Sequence, residues 1–188
     1  PFLPLQTMWL NFTVNVFQAI GLGFGKPRVG LMEQAPRPKN QAIMPRPLTI
    51  WLAVVGLVMG GGTLAVIAWA TNAFGSDTIA RTMGVTTFAL FRIVSSLETA
   101  DETRSVFSGY ILGNPALLKA TGISIVSIVL ATELGILQNV LDMTSLTGEQ
   151  WLVCIGVALS LIVVEEVKKL LKVKTETEPT VAIVPAAA

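Results

Sequence analysis

Long apolar runs separated by short polar loops dominate the chain. A helix needs about 20 apolar residues to cross a bilayer, and the pattern gives five candidate runs, at 3–22, 48–70, 82–97, 117–140 and 151–171. The second run has no charged residue, whereas the third is short and contains Arg92. The pattern therefore predicts an all-α fold, a polytopic membrane helix bundle with five transmembrane helices.

The distribution of charge between the runs predicts the orientation of the bundle. The loop after the first run carries five basic residues and one acid, and four lysines follow one another closely between positions 168 and 174. Cytoplasmic loops are enriched in Lys and Arg, so the N-terminal end is expected outside and the C-terminus in the cytoplasm. Residues 1–174 form the predicted transmembrane domain, residues 175–188 form a mobile cytoplasmic tail, and the expected location is the cell membrane.

Composition narrows the class of protein further. Hydrophobic residues make up 52% and charged residues 13% of the chain, against about 25% charged residues in soluble proteins. The absence of a basic stripe with interleaved aromatics argues against nucleic-acid binding, and the sequence has no histidine and one cysteine. It also has no phosphate-binding glycine loop and no nucleophile paired with a base, so we expect no catalysis and no cofactor in this segment alone. A start at Pro1 suggests a piece of a longer protein.

Three amide side chains interrupt the first apolar run. Asn11, Asn15 and Gln18 follow one another at i, i+4 and i+7, which places them on one face of a helix. One interpretation is hydrogen bonding between helices. The other is a cation path, because amide carbonyls are hard oxygen ligands; in that case Asn11 and Asn15 are the candidate metal ligands.

Arg92 interrupts the third run and shares its helical face with Ser95 and Thr99. A guanidinium within a membrane costs at least about 2.5 kcal/mol and commonly marks a functional site. The alternative is that its long side chain reaches towards Glu98 at the nearby cytoplasmic end. Spacing alone leaves both interpretations open.

Two further patterns have structural interpretations. Gly56 and Gly60 form a GxxxG step, which predicts close helix packing in the second run. At the end of the fifth run, acids at 165 and 166 precede lysines at 168 and 169, which predicts an ion-pair cluster at the membrane interface.

Four stretches in this order resemble one membrane-protein family. They are PLQTMWLNFTVNVFQAIGLGF, GLMEQAPRPKNQAIMPRPL, TTFALFRIVSSLETADETRSVF and WLVCIGVALSLIVVEEVKKLLK. Together they resemble the C-terminal transmembrane region of type II, calcium-pump-like P-type cation-transporting ATPases. The resemblance covers the chain to about Lys174 and equates its five runs with helices six to ten of that family.

The resemblance implies an ATP-driven cation pump. In that family, ATP phosphorylates an aspartate in a cytoplasmic domain, with magnesium serving the phosphoryl transfer. The partners implied are the upstream remainder of the same pump, namely helices one to five and the cytoplasmic domains, together with the lipid bilayer. The resemblance also implies that the loop rich in Pro and Arg docks on the phosphorylation domain.

The same resemblance assigns roles to individual residues. Asn11 matches the family's asparagine ligand, Asn15 stands where calcium pumps usually have an aspartate, and Arg92 stands where two-site calcium pumps have a glutamate. These changes reduce the negative charge available to cations, so we expect calcium or another divalent ion, one per cycle, with Arg92 compensating charge. Gln18 is the third candidate cation-binding residue, with support of Asn15 as its alternative role, and Ser95 is expected to support the site. A secondary transporter or channel, or a non-transporting membrane scaffold, remains the alternative.

Overall fold

The computed structural model describes residues 2–25, 44, 46–100 and 113–170, and all regular structure within these ranges is helical. The first segment consists of α1 (Pro4–Leu10), a π-helical segment (Asn11–Val16) and α2 (Phe17–Gly23). The remaining elements are α3 (Arg46–Phe74), α4 (Asp77–Thr99), α5 (Pro115–Glu133), α6 (Gly135–Leu141) and α7 (Gly148–Leu170). The prediction of an all-α fold is confirmed for this part of the chain.

Three of the described helices are long and apolar enough to cross a membrane, namely Arg46–Phe74, Pro115–Glu133 and Gly148–Lys169. Helix α4 falls short because it carries four charged residues, and the first segment is divided into three short elements. The count of five spans is therefore not confirmed. The outward side chains of α3 include Leu57 and Leu64, which are 76% and 65% exposed. Apolar surface of this kind favours an integral membrane protein.

Helix α4 is the centre of the bundle. Its Val85, Ala89 and Ile93 pack against the first segment and α5 in one buried cluster. Its Met83 and Phe91, both fully buried, pack against α3 and α7 in two others. Because α4 is held on both sides, the position of its Arg92 relative to the first segment is defined by packing.

Contacts along the helices give their relative directions. The partners of α4 on the first segment and on α7 advance in the same order along each chain, so the first segment, α4 and α7 run parallel. The partners of α4 on α3, and of the first segment on α5, run in reverse order. The parallel pairs are Asn15–Arg92, Gln18–Ser96, Met83–Cys154 and Glu98–Lys169, and the antiparallel pairs are Gly62–Phe91, Gly84–Ile67, Thr13–Ser124 and Gly21–Leu117.

The fourth predicted span, 117–140, is not a single helix. Leu134 has an extended backbone, with φ −88° and ψ 113°, and separates α5 from α6. The side-chain amide of Gln138 donates to the carbonyl of Thr132, which the break leaves without its usual partner. Breaks of this kind at membrane depth require such substitute hydrogen bonds. Glu133 and Gly135 flank the break in the sequence, but neither residue by itself predicts the end of a helix.

The segment after α6 is tied to the beginnings of α1 and α4. The fully buried Gln6 side chain donates to the carbonyl of Leu141 at 2.8 Å. Arg81 and Asp142 form an ion pair at 2.8 Å, and the amide N–H of Thr144 donates to the hydroxyl of Thr82. These contacts hold one end of the bundle together.

Two predictions lie outside the described residues. They concern docking by the Pro- and Arg-rich loop, which falls mostly within 26–45, and the mobility of the tail at 175–188.

Candidate functional site

The asparagine-containing part of the first segment forms a π-helix over Asn11–Val16. Within it, the hydroxyl of Thr13 donates to the carbonyl of Trp9 at 2.7 Å, a local bond of the type that bends or loosens helices. Short π segments are rare and frequently occur at functional sites. The sequence predicted an ordinary helix here, so the widened turn is a difference from prediction.

Asn11, Asn15 and Arg92 form one hydrogen-bonded chain, which we call the triad. The side-chain amide of Asn15 donates to Oδ1 of Asn11 at 2.6 Å. Nε of Arg92 donates to Oδ1 of Asn15 at 2.8 Å. Asn11 and Arg92 are exposed, and Asn15 is half-buried. The structure thus brings together three of the residues selected from the sequence, on a face that the described helices leave open.

Arg92 has no carboxylate partner among the residues that the structure describes. Glu98, the alternative partner considered from the sequence, is buried and accepts a hydrogen bond from Lys169 at 2.5 Å. The interpretation in which Arg92 reaches Glu98 is therefore wrong. The predicted ion-pair cluster at the end of α7 is confirmed by Lys168–Glu165 at 3.8 Å and by a second pair between positions 166 and 169 at 3.5 Å.

Gln18 has a different environment from the two asparagines. Its side chain is 4% exposed. Its Oε1 accepts from the hydroxyl of Ser96 at 2.7 Å, and its Nε2 lies 3.4 Å from the hydroxyl of Thr121 and 3.3 Å from that of Ser124. We call these four residues the Gln18 cluster. Sequence reasoning missed its three hydroxyl members, although Thr121 and Ser124, three residues apart, would share one face of a helix.

Open space adjoins the triad on several sides. A groove of about 740 Å³ is lined by Asn11 together with apolar residues that include Phe2, Met8 and Phe12. Ser95 and Arg92 line a smaller cavity of about 190 Å³. Ser95 therefore lies beside the triad, and Asn11 is the triad member that faces the larger of these two spaces.

The triad supplies neutral oxygen ligands. An amide oxygen has two lone pairs, and those of Asn11 and Asn15 each accept one hydrogen bond within the triad. The described residues contain no group of three or more His, Cys, Asp or Glu side chains that could hold a metal ion. A cation bound here would therefore contact carbonyl oxygens and would need carboxylates from elsewhere to balance its charge.

The two glycines of the GxxxG step face open space. A Cβ added to Gly56 or Gly60 would meet no atom within 4 Å, whereas one added to Gly62 would lie 2.9 Å from the ring of Phe91. Close packing of α3 on α4 thus occurs at Gly62. The described helices give no packing partner to Gly56 and Gly60, and their role stays a prediction.

Comparison with known proteins identifies the family. The family model described as "Cation transporting ATPase, C-terminus" matches residues 1–171. The chain belongs to this family. Its resemblance to P-type cation-transporting ATPases, stated from the four sequence stretches, is thereby confirmed.

Relatives of this ATPase C-terminal region come from bacteria and fungi. The chain is 26% identical to "Cation-transporting ATPase pma1" of Synechocystis sp. over 162 residues, which is 82% of the chain and 18% of that protein. It is 25% identical to "Calcium-transporting ATPase 1" of Yarrowia lipolytica over 169 residues, 90% of the chain and 18% of that protein. "Calcium-transporting ATPase" of Bacillus subtilis is 25% identical over 160 residues, 84% and 18% respectively. The chain thus spans about a fifth of the length of these relatives.

Proposed function

We propose that the chain is the membrane part of an ATP-driven cation pump, and that the triad contributes to its ion site. The transported ion is calcium or another divalent cation, one per cycle. The observation that carries this proposal is the hydrogen bond from Nε of Arg92 to the side-chain oxygen Oδ1 of Asn15. Two of the relatives named above are called calcium-transporting, and the third is called cation-transporting.

The directions of the helices support five membrane passes. The first segment, α4 and α7 run one way, and α3 and α5 run the other. Successive passes through a bilayer alternate in this manner. Combined with the basic loop after the first segment, the alternation favours an N-terminal end outside, a cytoplasmic C-terminus and a location in the cell membrane. Residues 1–174 are then the transmembrane domain, and residues 175–188 are a cytoplasmic tail.

Arg92 limits the number of ions that the site can hold. Its Nε takes one of the two lone pairs of the Asn15 side-chain oxygen and places a positive charge beside it. Two unit charges 4 Å apart repel by about 4 kcal/mol at an effective dielectric constant of 20, and a divalent ion doubles this figure. Arg92 therefore acts as a tethered charge in place of a second ion, whereas Asn11 keeps an exposed oxygen for the transported one. Gln18 and Ser95 position the helices around this oxygen.

Energy coupling belongs to parts of the pump beyond this chain. Hydrolysis of ATP, with its magnesium, takes place in cytoplasmic domains, and the carboxylates that complete the ion site come from the remaining membrane helices. The loop rich in Pro and Arg docks on the phosphorylation domain and transmits movement to the first segment.

The test uses the full-length pump in vesicles. ATPase activity is measured against a panel of mono- and divalent cations, and bound ions are counted per phosphorylated site. We expect divalent-dependent activity and one ion per site. Asn11→Ala should raise the cation concentration for half-maximal activity by at least tenfold, while Asn72→Ala, an exposed asparagine on α3, should not. Two bound calcium ions per site would overturn the one-ion proposal, and unchanged cation dependence in Asn11→Ala would indicate a scaffold role for the triad.

A further inference from the structure

Four side chains of the first segment are buried at a strict four-residue repeat. They are Gln6, Leu10, Val14 and Gln18, each 4% exposed or less. An α-helix turns by about 100° per residue, so each step of four residues exceeds one full turn by about 40°. Over the three steps from Gln6 to Gln18, an unbroken α-helix would place the two glutamines about 120° apart around its axis.

The π segment removes this mismatch. Its hydrogen bonds span five residues rather than four, so each of its turns contains about one residue more than an α-helical turn. The π segment, Asn11–Val16, lies between the two glutamines. The buried side chains therefore stay on one side of the first segment, where Leu10 and Val14 pack in the same cluster as Ile128 of α5.

The two glutamines are anchored to the two halves of one interrupted span. Gln6 donates to the carbonyl of Leu141 at the end of α6, at 2.8 Å. Gln18 lies within hydrogen-bond distance of the hydroxyls of Thr121 and Ser124 on α5. Both glutamines are already buried within this chain, so membrane helices from the rest of the pump leave these contacts in place.

We propose that Gln6 is a positioning residue for the cation site, because its bond to Leu141 holds the π segment in the register that fixes the direction of the Asn11 side chain. The inference rests on the proposed transport function, since it describes how the same site is held in shape. Without this anchor, the segment relaxes towards an α-helix and α1 rotates about its own axis. Asn11, the first residue of the π segment, moves with α1 relative to α2 and α4.

The first test removes the anchor in the full-length pump. Gln6→Met keeps the length of the side chain, and we expect the cation concentration for half-maximal ATPase activity to rise about fivefold or more, as for residues that act through packed neighbours. The maximal rate should change little. Gln150→Met is the matched control, because Gln150 is 5% exposed and accepts from the amide N–H three residues earlier at 2.9 Å, as Gln6 does at 3.0 Å, but lies on α7. Its cation dependence should equal that of the wild type.

A double-mutant cycle assigns the effect to Asn11. If Gln6 acts through Asn11, Gln6→Met should add less than about twofold in an Asn11→Ala background, because coupled residues are not additive. Independent effects of the two substitutions, or an unchanged half-maximal concentration in Gln6→Met, overturn the positioning role. Asn11→Ala alone separates the two proposals. A shift in Asn11→Ala without one in Gln6→Met defeats the role of Gln6, whereas unchanged cation dependence in Asn11→Ala defeats the proposed function.

A deletion tests the register without substituting either glutamine. Removal of Phe12, whose side chain is 68% exposed, changes the spacing of the buried residues from 4-4-4 to 4-3-4, which an ordinary amphipathic helix presents on one face. The shortened pump should keep its yield and a melting temperature within about 5 °C of the wild type. Removal of Ala19, outside the interval, rotates Gly21 away from its close contact with α5 and should prevent folding. Equal damage from both deletions would overturn the register, and this readout decides even where Gln6→Met fails to fold.

Discussion

Asn15 and Gln18 lie three residues apart on one continuous helical segment, yet their amides have opposite environments. Gln18 is 4% exposed and hydrogen-bonded to hydroxyls on two other helices. Asn15 is half-buried and bonded to Asn11 and Arg92, whose side chains are exposed. The Gln18 cluster is buried with all its polar partners inside the bundle, and we call it the closed contact. The triad has two exposed members, and we call it the open contact.

This difference separates the two roles that polar groups have in membranes. A buried amide with every partner inside the bundle holds helices together and has no capacity left for a ligand. In the triad, the exposed Asn11 has an amide oxygen that can still contact a cation, and Arg92 is an ionisable group of the kind that commonly marks a functional site in a membrane. Spacing placed all three amides on one face, but burial distinguishes packing from binding.

The largest expected effect is a loss of stability where α2 packs against α5, beside the closed contact. Gly21 permits α2 to approach α5, and a Cβ there would lie 2.9 Å from the backbone Cα of Leu117 and from the Cβ of Ala120. Gly21→Ala should destabilise the folded protein by about 3 kcal/mol, as overpacking does, measured as a lower melting temperature of the solubilised pump. Gly23→Ala is the control, since nothing lies within 4 Å of its added Cβ. Equal melting temperatures would show that the contact with α5 is looser than described.

The next prediction compares the two sets of amides directly. Gln18→Leu removes the shared partner of Ser96, Thr121 and Ser124 and should lower the free energy of unfolding by about 2 kcal/mol, since each buried hydrogen bond that is lost contributes about 1 kcal/mol. Asn11→Leu, at an exposed position, should change it by less than about 0.5 kcal/mol. Thermal unfolding of the two variants side by side measures the difference. Similar losses would remove the distinction between open and closed contacts.

Some of this arrangement could be predicted from the sequence, and the limits have physical causes. The apolar run at 48–70 lies within α3 at Arg46–Phe74, because an uninterrupted apolar helix carries its own signal. The i, i+4 spacing brought Asn11 and Asn15 into contact, since helical periodicity is local. The burial of Gln18 depends on hydroxyls more than 100 residues away on α5. Local periodicity contains no information about such a partner.

The break at Leu134 and the π segment were not predicted for a related reason. Polar residues lie at both places, but residue type alone does not determine the backbone there. Each feature is accompanied by a particular hydrogen bond: Gln138 to the carbonyl of Thr132, and Thr13 to the carbonyl of Trp9. Charge patterns had similar limits. They identified the cluster at the end of α7 but did not show that Glu98 would join it rather than pair with Arg92.

A third prediction sharpens the contrast within the triad. Asn11→Asp adds a carboxylate at the exposed oxygen and should raise the apparent divalent affinity about tenfold, equivalent to 1.4 kcal/mol. Asn15→Asp should raise it less than threefold, because Arg92 at 2.8 Å would neutralise the added charge. Cation titrations of ATPase activity in the full-length pump compare the two. A larger gain from Asn15→Asp would mean that Arg92 leaves Asn15 when the ion binds.

The smallest expected effect concerns a pair of charges outside both contacts. Arg81 and Asp142 form an ion pair at 2.8 Å, with side chains 20% and 57% exposed. Exposed pairs contribute about 0 to 1 kcal/mol, so Arg81→Gln should lower stability by about 0.5 kcal/mol and leave cation affinity unchanged. The melting temperature measures the change in stability, and a cation titration of ATPase activity measures the affinity.

Arg92→Gln, on the same helix, should instead alter cation dependence, because the charge of Arg92 lies beside the oxygens of Asn11 and Asn15. If both substitutions affected the cation titration equally, the field of Arg92 would be no more specific than that of any arginine on α4, and the open side of the comparison would lose its functional meaning.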